Sequence, residues 1–138
     1  MAHTQWTAKR VAGSLTLEAT LLRAGDGLVV VVTGGDRPHV GSVSLAEPRE
    51  SLRGGEVSAT VSTLNRMGHK DDAIGNLYAD TLARRTGWPC VATCGVHVDG
   101  LGAEGIEQVL ALAQDLLGDL LAALDGDKEG ADGQSADL

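Results

Sequence analysis

The sequence predicts an α+β domain: a mainly antiparallel five-stranded sheet with two helices, in the order β-β-β-β-α-β-α. Three observations carry this. Four apolar or alternating runs of strand length, separated by glycine-containing or polar connections, come before any helical periodicity. A run at helical spacing then leads to a fifth strand. A long amphipathic helix follows, and helices added to such a meander are expected on one face of the sheet.

The first strand is read in "SLTLEATLLRAG", where apolar and polar residues alternate, and it ends at the Gly25–Gly27 turn. The second, "DGLVVVVTGG", is β-branched and continuous from Leu28 to Val32, the pattern of a central strand covered on both faces. "PHVGSVSLAEP" is the third strand and "GGEVSATVSTLN" the fourth, with "RESLRGG" as the polar connection. In the fourth, Val57, Ala59 and Val61 face one way and Ser58, Thr60 and Ser62 the other.

"RMGHKDDAIGNLYADTLARRTG" places Ile74, Leu77, Tyr78 and Leu82 at helical spacing. Asp71 and Asp72 lie at its start and Arg84 and Arg85 in its last turn, each suited to the helix dipole. "WPCVATCGVHVDG" is the fifth strand. "AEGIEQVLALAQDLLGDLLAAL" is the second helix, with Ile106, Val109, Leu110, Ala113, Leu116, Leu117 and Leu120 as its core stripe. Ser42, Ser44, Ser58, Thr60, Ser62, Thr93 and Gly95 are read together as a sheet face of small side chains, open to solvent, to a second subunit or to a planar ligand.

Composition narrows the function. The 138 residues suit one domain, taken as residues 1–124, with an acidic, disordered tail at 125–138. Eleven Lys and Arg against nineteen Asp and Glu give a net charge of −8, without the basic stripe that nucleic-acid binding needs. No apolar run reaches the ~18 residues of a membrane span. The opening "MAHTQWTAKR" lacks an apolar signal core, so a cytoplasmic location is expected. Trp6, Trp88 and Tyr78 are the aromatic residues, leaving the core to aliphatic side chains. Cys90 and Cys94, at i and i+4, would share a strand face about 13 Å apart, too far for a disulfide, and are read as small buried hydrophobes.

The chemistry-bearing residues cluster at element ends. His39 opens the third strand, His69 the first helix, and His97 closes the fifth strand, so all three can meet at one end of the sheet. With Asp71, Asp72 or Asp99 beside them, His39, His69 and His97 would make a divalent metal site, although their spacing matches no local metal signature. Taken singly, each is equally a hydrogen-bonding loop histidine. Gly34 and Gly35 can expose backbone N–H groups to an anion, with Arg37 and Lys70 supplying charge and the first helix N-terminus nearby. Neither a dinucleotide fingerprint nor a Walker pattern accompanies them. The sequence shows no nucleophile elbow and no HExxH, which argues against acyl transfer.

In that order and spacing, "GGDRPHVGSVSLA", "STLNRMGHKDD" and "VATCGVHVDGLGAEGIEQV" resemble the LpdD-like prenylated-flavin chaperones found with gallate-type decarboxylases. The likeness covers roughly residues 14 to 124. It implies a non-catalytic protein that binds reduced prenylated FMN, or FMN, for a UbiD-like decarboxylase after synthesis by a UbiX-like prenyltransferase. It also implies a fold similar to proteasome assembly chaperones, usually dimeric. Carried across residue by residue, the ligand contacts are His39, Gly41, His69, Lys70, Asp71, Asp72, His97 and Asp99. Two other readings stand beside it: a histidine-bound metal enzyme or decarboxylase accessory subunit, and a protein-assembly chaperone with structural histidines.

Overall fold

The computed structural model describes residues 4–66 and 71–133, with side chains as far as residue 127. His69 and Lys70 lie outside the described residues. The chain forms strands β1 (Gln5–Ala12), β2 (Leu15–Ala24), β3 (Gly27–Gly35), β4 (Ser42–Glu50) and β5 (Val57–Asn65), then helix α1 (Asp72–Thr86), strand β6 (Cys90–His97) and helix α2 (Ala103–Gly133).

The sheet has six strands in the order β1-β2-β3-β6-β4-β5, not five. The additional strand is β1, in a segment whose sequence shows no strand signal. Its inward positions are Trp6, Ala8 and Arg10, so one large apolar residue and one charge share the face that packs inward. Lys9 and Arg10 suit an edge strand, where charge discourages pairing with another chain. Arg10 reaches α2 and holds Asp119 through Nε and Nη2, at 2.7 and 3.0 Å.

The second departure is topological. β6 does not extend the meander but enters its centre, parallel to β3 and antiparallel to β4. A β-α-β crossover through α1 permits that placement, because a parallel neighbour needs a long connection.

Both helices cover one face, as expected. Leu17, Leu21, Leu28, Val30, Val32, Cys90, Ala92 and Cys94 point into it, under Tyr78 and Leu82 of α1 and Leu116 and Leu120 of α2. The Tyr78 hydroxyl donates to the Ala113 carbonyl at 2.6 Å, joining the two helices. β3 is central but not covered on both faces: Val29 and Val31, on the far side, are half-buried beneath no helix.

That far face corrects the small-residue reading as well. Ser58, Thr60, Ser62, Thr93 and Gly95 lie on it, but Ser42 and Ser44 point the other way and are fully buried under α1. Gly75 of α1 is the reason they fit: a Cβ there would stand 3.0 Å from Ser42 Oγ and 3.1 Å from Ser44 Oγ. Asn76 Oδ1 accepts from both Ser44 and Thr63. Finally, α2 runs on to Gly133, so the first nine residues of the segment read as a disordered tail, 125–133, continue the helix. Arg85 anchors its path by donating to Asp125 at 2.7 Å.

Candidate functional site

The C-terminal ends of β3 and β6, the start of β4 and the first turns of both helices gather at one end of the sheet. Residues 36–41 link β3 to β4 and run beside β6: Asp36 N donates to the His97 carbonyl at 2.6 Å and Gly41 N to that of Cys94 at 2.9 Å. Position 95 must be glycine for this path, since a Cβ there would collide with the His39 backbone. Arg66 fastens the linker from the other side, donating from its backbone to the Gly41 carbonyl and from its guanidinium to that of Val40, both at 2.9 Å.

Between this linker and the helices lies a cavity of about 310 Å³. Its polar lining is His39, Asp71 and His97. Its walls are Ala73 and Ile74 from α1, Val96 and Val98, Leu101 from the connection, and Ile106, Val109 and Leu110 from α2.

Asp71 stands at the N-cap position of α1 but does not cap it. Its carboxylate turns into the protein, where Oδ1 accepts the Val96 N–H at 3.0 Å and Oδ2 meets His39 Nε2 at 3.1 Å. Asp71 is 8% exposed. The other ring nitrogen, His39 Nδ1, lies 2.8 Å from the Arg37 carbonyl, a group that only accepts, so Nδ1 carries a hydrogen. The contact between Nε2 and Asp71 therefore holds a proton on one partner or the other. Gly41 makes room for it: a side chain at 41 would occupy the place of Asp71 Oδ2 and crowd His39 Nε2, at 2.9 Å.

His97 makes a separate pair. Its Nε2 is 2.9 Å from Asp99 Oδ1, which also accepts from Arg37 Nη2 at 3.4 Å, and the Asp99 N–H donates to Asp36 Oδ2 at 2.9 Å. This second pair is exposed at the rim.

The structure thus brings His39, Asp71 and His97 to one cavity, Arg37 and Asp99 to its rim, and Gly41 beneath its floor. Asp72 is the first residue of α1 and does not line the cavity. Gly34 and Gly35 stand in the ladder between β2 and β6, also outside it. They have another reason to be glycine. A Cβ on Gly34 would meet Thr16 and Leu17, and Gly35 takes φ +76° against the His97 carbonyl. Among the described residues no group of three His, Cys, Asp or Glu is placed to hold an ion. His39 and His97 each engage a different carboxylate instead, and His69 is outside the described residues.

Sequence reasoning missed the apolar walls. Ile106 and Leu110 belong to the α2 stripe read as core, yet they are 51% and 36% exposed at the cavity mouth, beside Leu101 at 38%. The signal available was the pair of apolar residues Val98 and Leu101 in a short glycine-rich connection.

Residues 11–125 match the family described as the prenylated flavin chaperone LpdD-like domain. The chain belongs to this family. An LpdD-like chain is a chaperone and is non-catalytic. One relative, protein LpdD of Lactiplantibacillus plantarum, is 31% identical over 102 residues, spanning 72% of this chain and 71% of that protein. The LpdD-like fold is also similar to a chain in the crystal structure of a chaperone complex for yeast 20S proteasome assembly. The TM-score is 0.55 with 18% identity, over 91% of this chain and 98% of that one. At that identity the likeness concerns the fold alone. Among the described residues no helix is long and apolar enough to cross a membrane.

Proposed function

We propose that this protein is a carrier of reduced prenylated FMN, receiving it after a UbiX-like prenyltransferase and presenting it to a UbiD-like decarboxylase in the cytoplasm. The observation that carries the reading is the cavity, with apolar walls above a part-buried His39–Asp71 pair, in a chain of the prenylated-flavin chaperone family. Its volume lies at the lower end of the range for small-molecule sites, about 300–1,000 Å³. It therefore accepts part of an FMN-sized molecule. His39, Asp71 and His97 contact the ligand, and His69 and Lys70 join them by the family resemblance.

The chain acts as a homodimer in this reading. Exposed Leu22, Leu45 and Leu64, with half-buried Val29, Val31 and Val43, give the helix-free sheet face an apolar surface suited to a second copy. Sedimentation with Leu45→Lys tests this, and an unchanged monomer in the parent protein overturns it.

The carrier role is tested by anaerobic titration with reduced prenylated FMN, followed by addition of the apo-decarboxylase. Saturable binding and transfer of the chromophore are expected. No binding under those conditions overturns the reading.

A further inference from the structure

The polar residues among the described lining of the cavity are His39, Asp71 and His97, and the first two are already engaged. His39 uses Nδ1 on the Arg37 carbonyl and Nε2 on Asp71, while the Asp71 oxygens serve Val96 and His39. His97 differs. Its Nε2 lies 2.9 Å from Asp99 Oδ1, a carboxylate oxygen that only accepts, so the neutral ring carries its hydrogen on Nε2. Nδ1 is then a bare acceptor, and it has no hydrogen-bond partner among the described residues. The His97 side chain is 45% exposed, so the ring is reachable from the cavity mouth.

The ring is also held in place. Asp36 N donates to the His97 carbonyl at 2.6 Å, Asp99 N donates to Asp36 Oδ2 at 2.9 Å, and Asp99 Oδ1 accepts from His97 Nε2. These three bonds close a circuit through residues 36, 97 and 99. A hydrogen bond at one imidazole nitrogen sets the role of the other. Around the ring stand Val96 and Val98, with the α2 lip (Leu101, Ile106 and Leu110) across the cavity.

We propose that His97 Nδ1 is the hydrogen-bond acceptor of this cavity, and that the site takes an apolar, ring-sized body bearing an N–H or O–H donor. Asp99 and Asp36 are positioning residues that act through His97, and the His39–Asp71 pair builds the floor. This deepens the carrier reading and rests on it only for the ligand's identity as a flavin. A molecule of the same shape with its donor methylated would cover Nδ1 and leave it unpaired, which costs binding.

Indole and N-methylindole are neutral planar probes that differ in this one donor. In protein with isotope-labelled histidine and methyl groups, followed by NMR in mildly alkaline buffer, His97 Nδ1 should show the signal of a nitrogen without hydrogen. Indole should move that signal together with the Ile106 and Leu110 methyls. N-methylindole should move the methyls with little effect on Nδ1, and bind about three- to tenfold more weakly. His97→Ala should bring the two probes to parity. His97→Asn keeps an oxygen near the place of Nδ1 and should restore part of the preference, with circular dichroism melts as the control for folding. Asp99→Ala should reduce the preference although the ring remains, and an unchanged preference there overturns the positioning role. A hydrogen on Nδ1 in the free protein, no response to either probe, equal binding of both, or a preference that survives in His97→Ala overturns the proposal. Titration with reduced prenylated FMN separates the two readings. Flavin binding by a protein that treats the probes alike overturns this proposal and leaves the carrier reading intact. Discrimination through His97 without flavin binding supports this proposal and overturns the carrier reading.

Discussion

The Asp71 carboxylate occupies the volume that a side chain at position 41 would take, and only a glycine there lets it reach His39. Two residues thirty positions apart are thereby matched in size, and the floor of the cavity depends on the match. Gly41→Ala should displace Asp71, cost about 1–3 kcal/mol by overpacking, and weaken ligand binding. Urea denaturation and the His39 ring resonances measure the two effects separately. Unchanged ring resonances in this variant would show that the match is not needed.

Asp71 itself satisfies two groups. Asp71→Ala removes the acceptor for the Val96 N–H as well as the contact to His39, and should cost about 1–3 kcal/mol. Asp71→Asn keeps an oxygen for Val96 and should cost less, while still altering the proton held between the two side chains. Equal losses in the two variants, measured by chemical denaturation, would mean that the amide bond to Val96 contributes nothing.

The cysteines give a pH prediction. Burial pushes the Cys90 thiol up to about 12, and burial with the neighbouring Asp71 charge does the same for Cys94, from an ordinary value of 9.0. A raised value in the folded state favours the neutral thiol there, so this contribution is fully present below pH 9 and is lost as pH rises towards about 12. Denaturation midpoints should fall across that window, and less so in Cys90→Ala/Cys94→Ala. At pH 8 neither thiol should react with iodoacetamide until the protein unfolds.

Ser42 offers the opposite kind of test. Its hydroxyl is buried without a hydrogen-bond partner among the described residues, a cost that Ser42→Ala removes. The variant should melt at the same temperature as the parent or higher. A clear drop in Tm would mean that the hydroxyl is used.

On the surface, the Arg10 hydrogen bond holds the Asp119 carboxyl below its ordinary range. The pair's contribution is therefore present above the unfolded carboxylate value of 3.8 and disappears as pH falls through the lower folded one. Asp119→Asn should destabilise the protein slightly at pH 7 and not at pH 2, with the gap shrinking in high salt because the pair is exposed. A gap that persists at pH 2 would assign it to packing.

How legible this was in the sequence differs from element to element. The runs of β2 to β5 alternate or are strongly β-branched, and both helices show their period, so these elements are readable from local pattern. β1 is not, because Trp6 is its one large inward residue and Arg10 is inward as well. The position of β6 is a matter of long-range pairing, about which alternation says nothing. Alternation likewise separates the two faces of β4 without saying which one α1 covers, so the small-residue face expected from the sequence wrongly includes Ser42 and Ser44, which are buried under α1. At the site, His39, Asp71 and His97 were findable from their positions at element ends. The α2 lip was not, because an apolar residue that lines a cavity and one that fills a core look alike in one dimension.

The late entry of β6 into the middle of the sheet has a consequence for biosynthesis. The β1–β3 meander and the β4–β5 hairpin are made first, yet each presents an unpaired edge until residues 90–97 emerge and join them. On the ribosome the nascent chain is thus two incomplete halves with sticky margins, the condition that invites aggregation. A stalled or truncated product ending before Cys90 should be captured by holdase chaperones, and the full-length chain should escape them once its last strand closes the gap.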